Sequence, residues 1–173
     1  MKQLEVKMVL AVLDSIDSYS NISRFEDYLR LQQIVKLHQS SSRNEALAEM
    51  LEQLSNQNII EDIGSIRQAL VKREQYVSTC LGKSFALPHA RLPDWRDFIV
   101  SIGMHSKGVS WGSHDGLPVK LIFLIIGPED KQLEYLKLVS YIAELVRDEH
   151  ACKILLSAQT PKEIFNICKT SSR

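Results

Sequence analysis

The chain is short of the residues that mark several protein classes. It has three cysteines in 173 residues, Cys80, Cys152 and Cys168, odd in number, far apart and free of any C-x-x-C pair. That pattern speaks against a disulfide framework and against a zinc knuckle. Thiols of this kind suit a reducing compartment, so a cytoplasmic location is expected. Seven glycines and five prolines are too few for a collagen-like or low-complexity chain. An excess of one charge is missing too: Lys plus Arg and Asp plus Glu are 21 each. With no long basic run, nothing supplies the positive field that a phosphate backbone requires, and nucleic acid is not an expected partner. No apolar run approaches the ~20 residues that span a bilayer. "MVLAVL" near the start is short, and Glu5, Asp14 and Asp17 flank it without a small-residue cleavage pattern, so neither a signal peptide nor membrane insertion is expected.

What is present is the composition of one globular domain, 45% apolar and 24% charged, long enough to bury a single sizeable core. Val6, Val9, Leu10 and Leu13 recur at helical spacing, which predicts a helical extension over residues 1–24. "DSIDSYSNIS" reads as a turn or linker, and the main domain is expected over residues 25–173. "QQIVKLH" carries a short β-prone run. Ser42 and Glu45 then form the S-x-x-E pattern that satisfies exposed N–H groups at a helix start, ahead of Leu47, Met50, Leu51 and Leu54. A second helix is predicted through "IGSIRQALVKREQ", with Ile63, Ile66 and Leu70 inward. "DFIVSIGMH" reads as a strand, and "PVKLIFLIIG" as a central strand covered on both faces. "KQLEYLKLVSYIAELVRD" predicts a long helix with Leu133, Leu136, Val139, Ala143 and Val146 on one face. Two short helices follow, the second opened by Thr160 as N-cap, Pro161 and Glu163. Strands interleaved with helices predict a layered α/β domain.

Between the second helix and the "DFIVSIGMH" strand lies "STCLGKSFALPHARL", in which His89 directly follows Pro88. A neutral imidazole keeps a lone pair on one ring nitrogen near neutral pH and can accept a phosphoryl group there. This requires an exposed ring, a tautomer fixed at the second nitrogen, and donors for the charged oxygens. Pro88 restricts the backbone and biases Leu87 to an extended conformation, which partly sets the ring's direction. Ser78, Thr79 and the N–H groups near Gly82 are candidate donors, and the planar fork of Arg73 matches a phosphoryl group. By composition and spacing alone, an isolated histidine in a loop is more often a surface or packing residue than a covalent carrier. A Cys80–His89 nucleophile pair is not supported by spacing within one loop, and zinc on His89, His105, His114 and Cys80 lacks a close-spaced ligand pair. No metal site is expected. His38, His105, His114 and His150 read as surface or strand-edge residues.

"RE" at 73 and 74 followed by "STCLGKSFALPHARL" resembles the "RE…STGIGxGIAIPH" signature of the fructose and mannitol class of phosphotransferase-system enzyme IIA domains. "WGSHDGLPVKLIFLIIGPED" is similar to that family's Asp-x-x-Pro-Val strand, and "YLKLVSYIAELVRDEHACKILLSAQTPKEIF" to its closing helices, so the resemblance spans about residues 28 to 170. It implies a three-layer α/β/α domain with a mixed, about five-stranded sheet, helices on both faces and no cofactor. It further implies a phosphotransferase activity, as a histidine phosphocarrier: His89 accepts a phosphoryl group from the carrier protein HPr, usually through Nε2. Arg73 then holds the phosphoryl oxygens, with Ser78 and Thr79 as the hydroxyl-bearing turn beside it. Members either pass phosphate to a cysteine of a sugar-specific enzyme IIB or, in the nitrogen-regulatory branch, control partner proteins. The chain carries no IIB or membrane domain, which favours the regulatory branch. A fold that acts only through protein contacts, without taking phosphate, is the alternative from another class.

Three departures from the family pattern stand out. Cys80, Lys83, Ser84 and Phe85 make the loop less glycine-rich. Glu134 stands at the helix position expected to match a second histidine in the family, where a carboxylate accepts Nδ1–H of His89, repels a phosphoryl group, or is simply a solvated carboxylate that the dipole favours in the first turn of a helix. The N-terminal extension has no counterpart in the motif.

Overall fold

The protein is seen in a computed structural model that describes residues 25–170; the helical extension expected over residues 1–24 lies outside them. A short helix α1 (Phe25–Tyr28) and a 3-10 turn (Leu31–Gln33) lead into strand β1 (Ile34–Leu37). Helices α2 (Arg43–Asn56) and α3 (Ile63–Tyr76) follow, then three short strands β2 (Cys80–Gly82), β3 (Phe85–Ala86) and β4 (His89–Leu92). Two long strands, β5 (Ile99–Val109) and β6 (Val119–Pro128), precede helices α4 (Gln132–Arg147), α5 (Glu149–Ser157) and α6 (Pro161–Thr170).

The helix starts are built as their sequences predict. Ser42 accepts the N–H of Glu45 while the Glu45 carboxylate reaches back to the N–H of Ser42, which satisfies donors that a helix end otherwise leaves orphaned. Thr160 Oγ1 accepts the N–H of Glu163 at the start of α6. Asp62 caps α3 through the N–H of Ser65 at 2.9 Å.

The sheet is mixed, with the order β1-β5-β6-β3-β2. β1 runs parallel to β5, β5 antiparallel to β6, and β3 and β4 both parallel to β6. β3 and β4 share one edge of β6, with Ala86 opposite Ile122 and His89 opposite Ile125. They act as one strand interrupted at Leu87 and Pro88, so six strands occupy five columns. Pro88 has no N–H to give, yet its carbonyl accepts the N–H of Ile125 at 3.1 Å, and Leu87 N–H turns to the Thr79 carbonyl at 2.9 Å. The proline thus ends one ladder and starts the next with His89 as its first residue.

The apolar run in β6 is covered on both sides, as an uninterrupted hydrophobic strand requires. Leu121, Phe123 and Ile125 face a core shared with α1, α4, α5 and α6, while Ile122, Leu124 and Ile126 face the one made with α2 and α3. Each of the fully buried side chains from Ile122 to Ile126 contributes about 1.5–3 kcal/mol relative to exposure. At Gly127, opposite Arg91, the Phe98 ring lies over the backbone and leaves no room for a Cβ.

Two expectations change. Leu133 is 54% exposed, and α4 buries Leu138, Ile142 and Leu145, which lie outside the expected stripe, together with Val146, the one member of that stripe that is buried. Two apolar series coexist on this helix at helical spacing, and the one that meets the sheet is the one continuous with Tyr135. His105 is buried within β5 instead of lying at the surface.

Candidate functional site

Residues of β4 alternate between layers. Ala90 and Leu92 enter the core made with α2 and α3, so His89 and Arg91 project to the other face. There Tyr135 of α4 meets both. Its ring centroid is 5.4 Å from that of His89 and 4.8 Å from Cζ of Arg91.

Arg73 arrives from the last turn of α3. Its Nε donates to Nε2 of His89 at 2.8 Å, and its Nη1 donates to the Val77 carbonyl at 2.9 Å. Because a guanidinium only donates, Nε2 is the lone-pair nitrogen. Nδ1 then carries the proton and donates to the Leu87 carbonyl at 3.2 Å. The backbone that Pro88 shapes therefore also fixes the tautomer. Burial, and next the positive charge of Arg73, hold the His89 pKa down at about 4, with Arg91 acting in the same direction. At neutral pH the ring is uncharged, with one lone pair facing an arginine.

Glu74, next to Arg73, does a different job. Its side chain is 6% exposed and pairs with Arg43 Nη1 at 3.2 Å. It accepts both the N–H of Thr79 at 3.1 Å and its hydroxyl at 2.7 Å. The end of α3 and the start of the histidine loop are thereby tied together, which sets where Arg73 leaves the helix. The Thr79 hydroxyl is spent on Glu74 and is not turned toward His89. Ser78 Oγ, half-buried, accepts the N–H of Cys80 at 3.3 Å.

Glu134 is not where the sequence placed it. Its Oε2 accepts the Tyr28 hydroxyl at 3.1 Å, and the Nδ1 proton of His89 goes to the Leu87 carbonyl. Successive helix residues point about 100° apart, so Tyr135 faces β4 while Glu134 turns toward α1. The thiol of Cys80 lies against the Phe85 carbonyl, and burial raises its pKa, which removes the activated thiolate that a Cys-His pair needs. Among the described residues no three His, Cys, Asp or Glu side chains gather as a metal site, and no helix is long and apolar enough to cross a membrane.

The site opens to solvent through a groove of about 600 Å³ lined by Arg73, Tyr76, His89, Arg91, Trp95 and Glu129, among others. Of these, Arg91 and the neighbouring Tyr135 carry no sequence signal beyond being two and forty-six positions after His89. Only the β-strand alternation at 89 and 91 points to the first.

The chain is similar to known proteins along most of its length. It is 27% identical over 133 residues to a nitrogen regulatory protein of Bradyrhizobium diazoefficiens, covering 77% of this chain and 84% of that protein. It is 28% identical over 134 residues to a fructose-specific EIIABC component of Bacillus subtilis, where the match covers 77% of this chain and 21% of that protein. The fold is that of the nitrogen regulatory protein IIA-Ntr from Neisseria meningitidis, with a TM-score of 0.74 at 24% identity, covering 83% of this chain and 97% of that one. Residues 27–171 match a family model throughout, and the chain belongs to the EIIA 2 family of the phosphoenolpyruvate-dependent sugar phosphotransferase system.

Proposed function

We propose that the chain is a histidine phosphocarrier of the nitrogen-regulatory kind, in which Nε2 of His89 takes a phosphoryl group from phosphohistidine on HPr. The observation that carries this reading is the pair of bonds on one imidazole: Arg73 on Nε2 at 2.8 Å and the Leu87 carbonyl on Nδ1. The Nε2 lone pair forms the new N–P bond as the donor's N–P bond breaks. The donor ring leaves neutral, keeping the proton on its other nitrogen, and the Nδ1 proton of His89 stays directed at Leu87. Arg73 gives up its bond to Nε2 in this step and turns its N–H groups to the phosphoryl oxygens, for which its fork is shaped. Ser78 lies at the loop beside it, while Thr79 acts through Glu74.

At the groove Tyr76 is 75% exposed, and the adjoining Val77 is 40% exposed. These give a protein partner an apolar rim to dock on while His89 is approached. Three free thiols and the lack of a membrane-crossing helix among the described residues agree with a cytoplasmic location. The regulatory reading rests on the match to most of a nitrogen regulatory protein's length. The fructose-specific relative supports a second one, a sugar route in which phospho-His89 passes its phosphoryl group to a cysteine of a separate enzyme IIB.

Incubation with labelled phosphoenolpyruvate, enzyme I and HPr is expected to label the protein, and His89→Ala to abolish the label. Label that persists in the variant removes His89 as acceptor. A wild-type chain that takes none is a binding module. Transfer onward to an enzyme IIB cysteine selects the sugar route.

A further inference from the structure

Arg91 is held more firmly than a surface arginine needs to be. Its Nε donates to the Pro128 carbonyl at 3.3 Å, its Nη2 donates to the Glu129 carbonyl and its Nη1 to Oε1 of Gln132. Its guanidinium lies over Tyr135 with Cζ 4.8 Å from the ring centroid. All three nitrogens are therefore engaged at the junction between β6 and α4, and two of the five N–H donors of the guanidinium remain. The groups around it are the neutral His89, the cation Arg73, the Glu129 backbone, Gln132 and the phenol of Tyr135, and the groove they share is also lined by Asp62 and Glu129, neither of which pairs with Arg91. The carboxylate of Glu74, inside the fold, is already bonded to Arg43 and Thr79.

The same Tyr135 ring supports His89 at 5.4 Å between centroids, so the imidazole and the Arg91 guanidinium stand at most about 10 Å apart. His89 and Arg91 also share one face of β4, two residues apart. An arginine at that range whose bonds go to two carbonyls and an amide, with no carboxylate paired to it, is a positive charge available to an anion beside the reactive nitrogen. Building one costs solvation unless an anion occupies the site for part of the cycle. Arg73 alone faces Nε2 directly, whereas a phosphoryl group there carries close to two negative charges.

We propose that Arg91 is the second phosphoryl-binding cation of this site, placed by Tyr135 and the Pro128–Gln132 junction to hold the charge of phospho-His89 that Arg73 leaves unbalanced. This rests on the phosphohistidine reading above. The group favoured is a doubly charged phosphoryl; a singly charged anion on Nε2 gains less from the second cation. Arg91 lines the same groove as His89, so its charge favours both the entry of the phosphoryl group and its retention.

The test uses phosphoramidate, a small donor that needs no protein partner: its N–P bond breaks, the Nε2–P bond forms and ammonia leaves. Initial rates of phospho-His89 formation and the lifetime of the product are measured for wild type, Arg91→Gln and Arg91→Lys. One charge at this range and an effective dielectric near 20 is worth at least a factor of about ten in rate. Arg91→Gln is expected to slow formation and shorten the lifetime about tenfold, while Arg91→Lys, which keeps the charge and loses the fork, stays within about threefold of wild type. The pH titration of the His89 ring by NMR is expected to move upward in Arg91→Gln and to hold in Arg91→Lys, a readout that a merely structural anchor does not give. Equal loss in both variants, or no loss in either, overturns the proposal and leaves the His89 site intact. A wild-type chain that takes no phosphoryl group from phosphoramidate overturns both.

Discussion

At the scale of single residues, the site turns on an imidazole that resists protonation. Its pKa of about 4 lies below the ordinary 6.5 because burial comes first and the Arg73 charge second. Between those values the unfolded chain binds a proton that the folded one does not, so stability rises with pH there. The stabilisation is complete above pH 6.5 and is lost as pH falls toward 4, an effect of about 3 kcal/mol. Chemical denaturation at pH 7 and pH 4.5 is expected to show wild type losing about 2 kcal/mol more than His89→Gln over that range, the glutamine being unable to charge. Equal losses would mean that His89 titrates normally and is not buried against Arg73. His89 and Arg73 were legible in the sequence because a Pro-His pair and an upstream Arg-Glu pair are residue-type signals. Arg91 and Tyr135 were not, since one is an ordinary arginine and the other an aromatic residue in a helix, and only the strand face and the helix rotation bring them to the histidine. The same rotation sent Glu134 to Tyr28, one residue away from the position that the histidine sees.

At the scale of elements, the histidine loop departs most from its sequence reading. The sequence reads as a loop there, but the segment holds β2, β3 and β4, because their runs are two to four residues long and show no usable period. Between β2 and β3 the backbone turns through three successive positive φ values: Gly82 at 81°, Lys83 at 51° and Ser84 at 70°. Such conformations suit Gly or Asn, and a side chain there costs about 1–2 kcal/mol per residue. The Lys83 N–H is held by Asp115 Oδ2 at 2.7 Å and the Ser84 carbonyl by the N–H of Lys120 at 2.8 Å, which fixes the turn despite that cost. Lys83→Asn, which keeps the N–H and relaxes the φ strain, is expected to raise stability by about 0.5 kcal/mol in thermal or chemical unfolding. A loss of that size would show that the bond from Lys83 Nζ to the Val146 carbonyl outweighs the strain. The long elements were legible: β6 from its unbroken apolar run, α2 from its capping pattern, α3 from Ile66 and Leu70. The buried face of α4 was not, as apolar residues on more than one side of a helix leave the choice to packing.

At the scale of the molecule, two cores meet on one sheet, and His89 sits where they meet at its edge. Arg73 reaches it from the layer of α3, and Tyr135 from that of α4. Neither layer alone builds the site, which is why the sequence located His89 and Arg73 without showing how they face and left Arg91 and Tyr135 unseen. Burying both faces of β6 fixes the register that sets His89 opposite Ile125, and a slip of one residue would turn the imidazole toward the interior. The ring's chemistry follows from that placement: a proton on Nδ1 facing Leu87, and a bare Nε2 facing the groove. Nitrogen-15 NMR of the His89 ring at pH 7, before and after phosphorylation, reads this arrangement directly. A non-protonated Nε2 in the free protein that gains a one-bond coupling to phosphorus is the expected result; a proton on Nε2, or phosphorus on Nδ1, would contradict it.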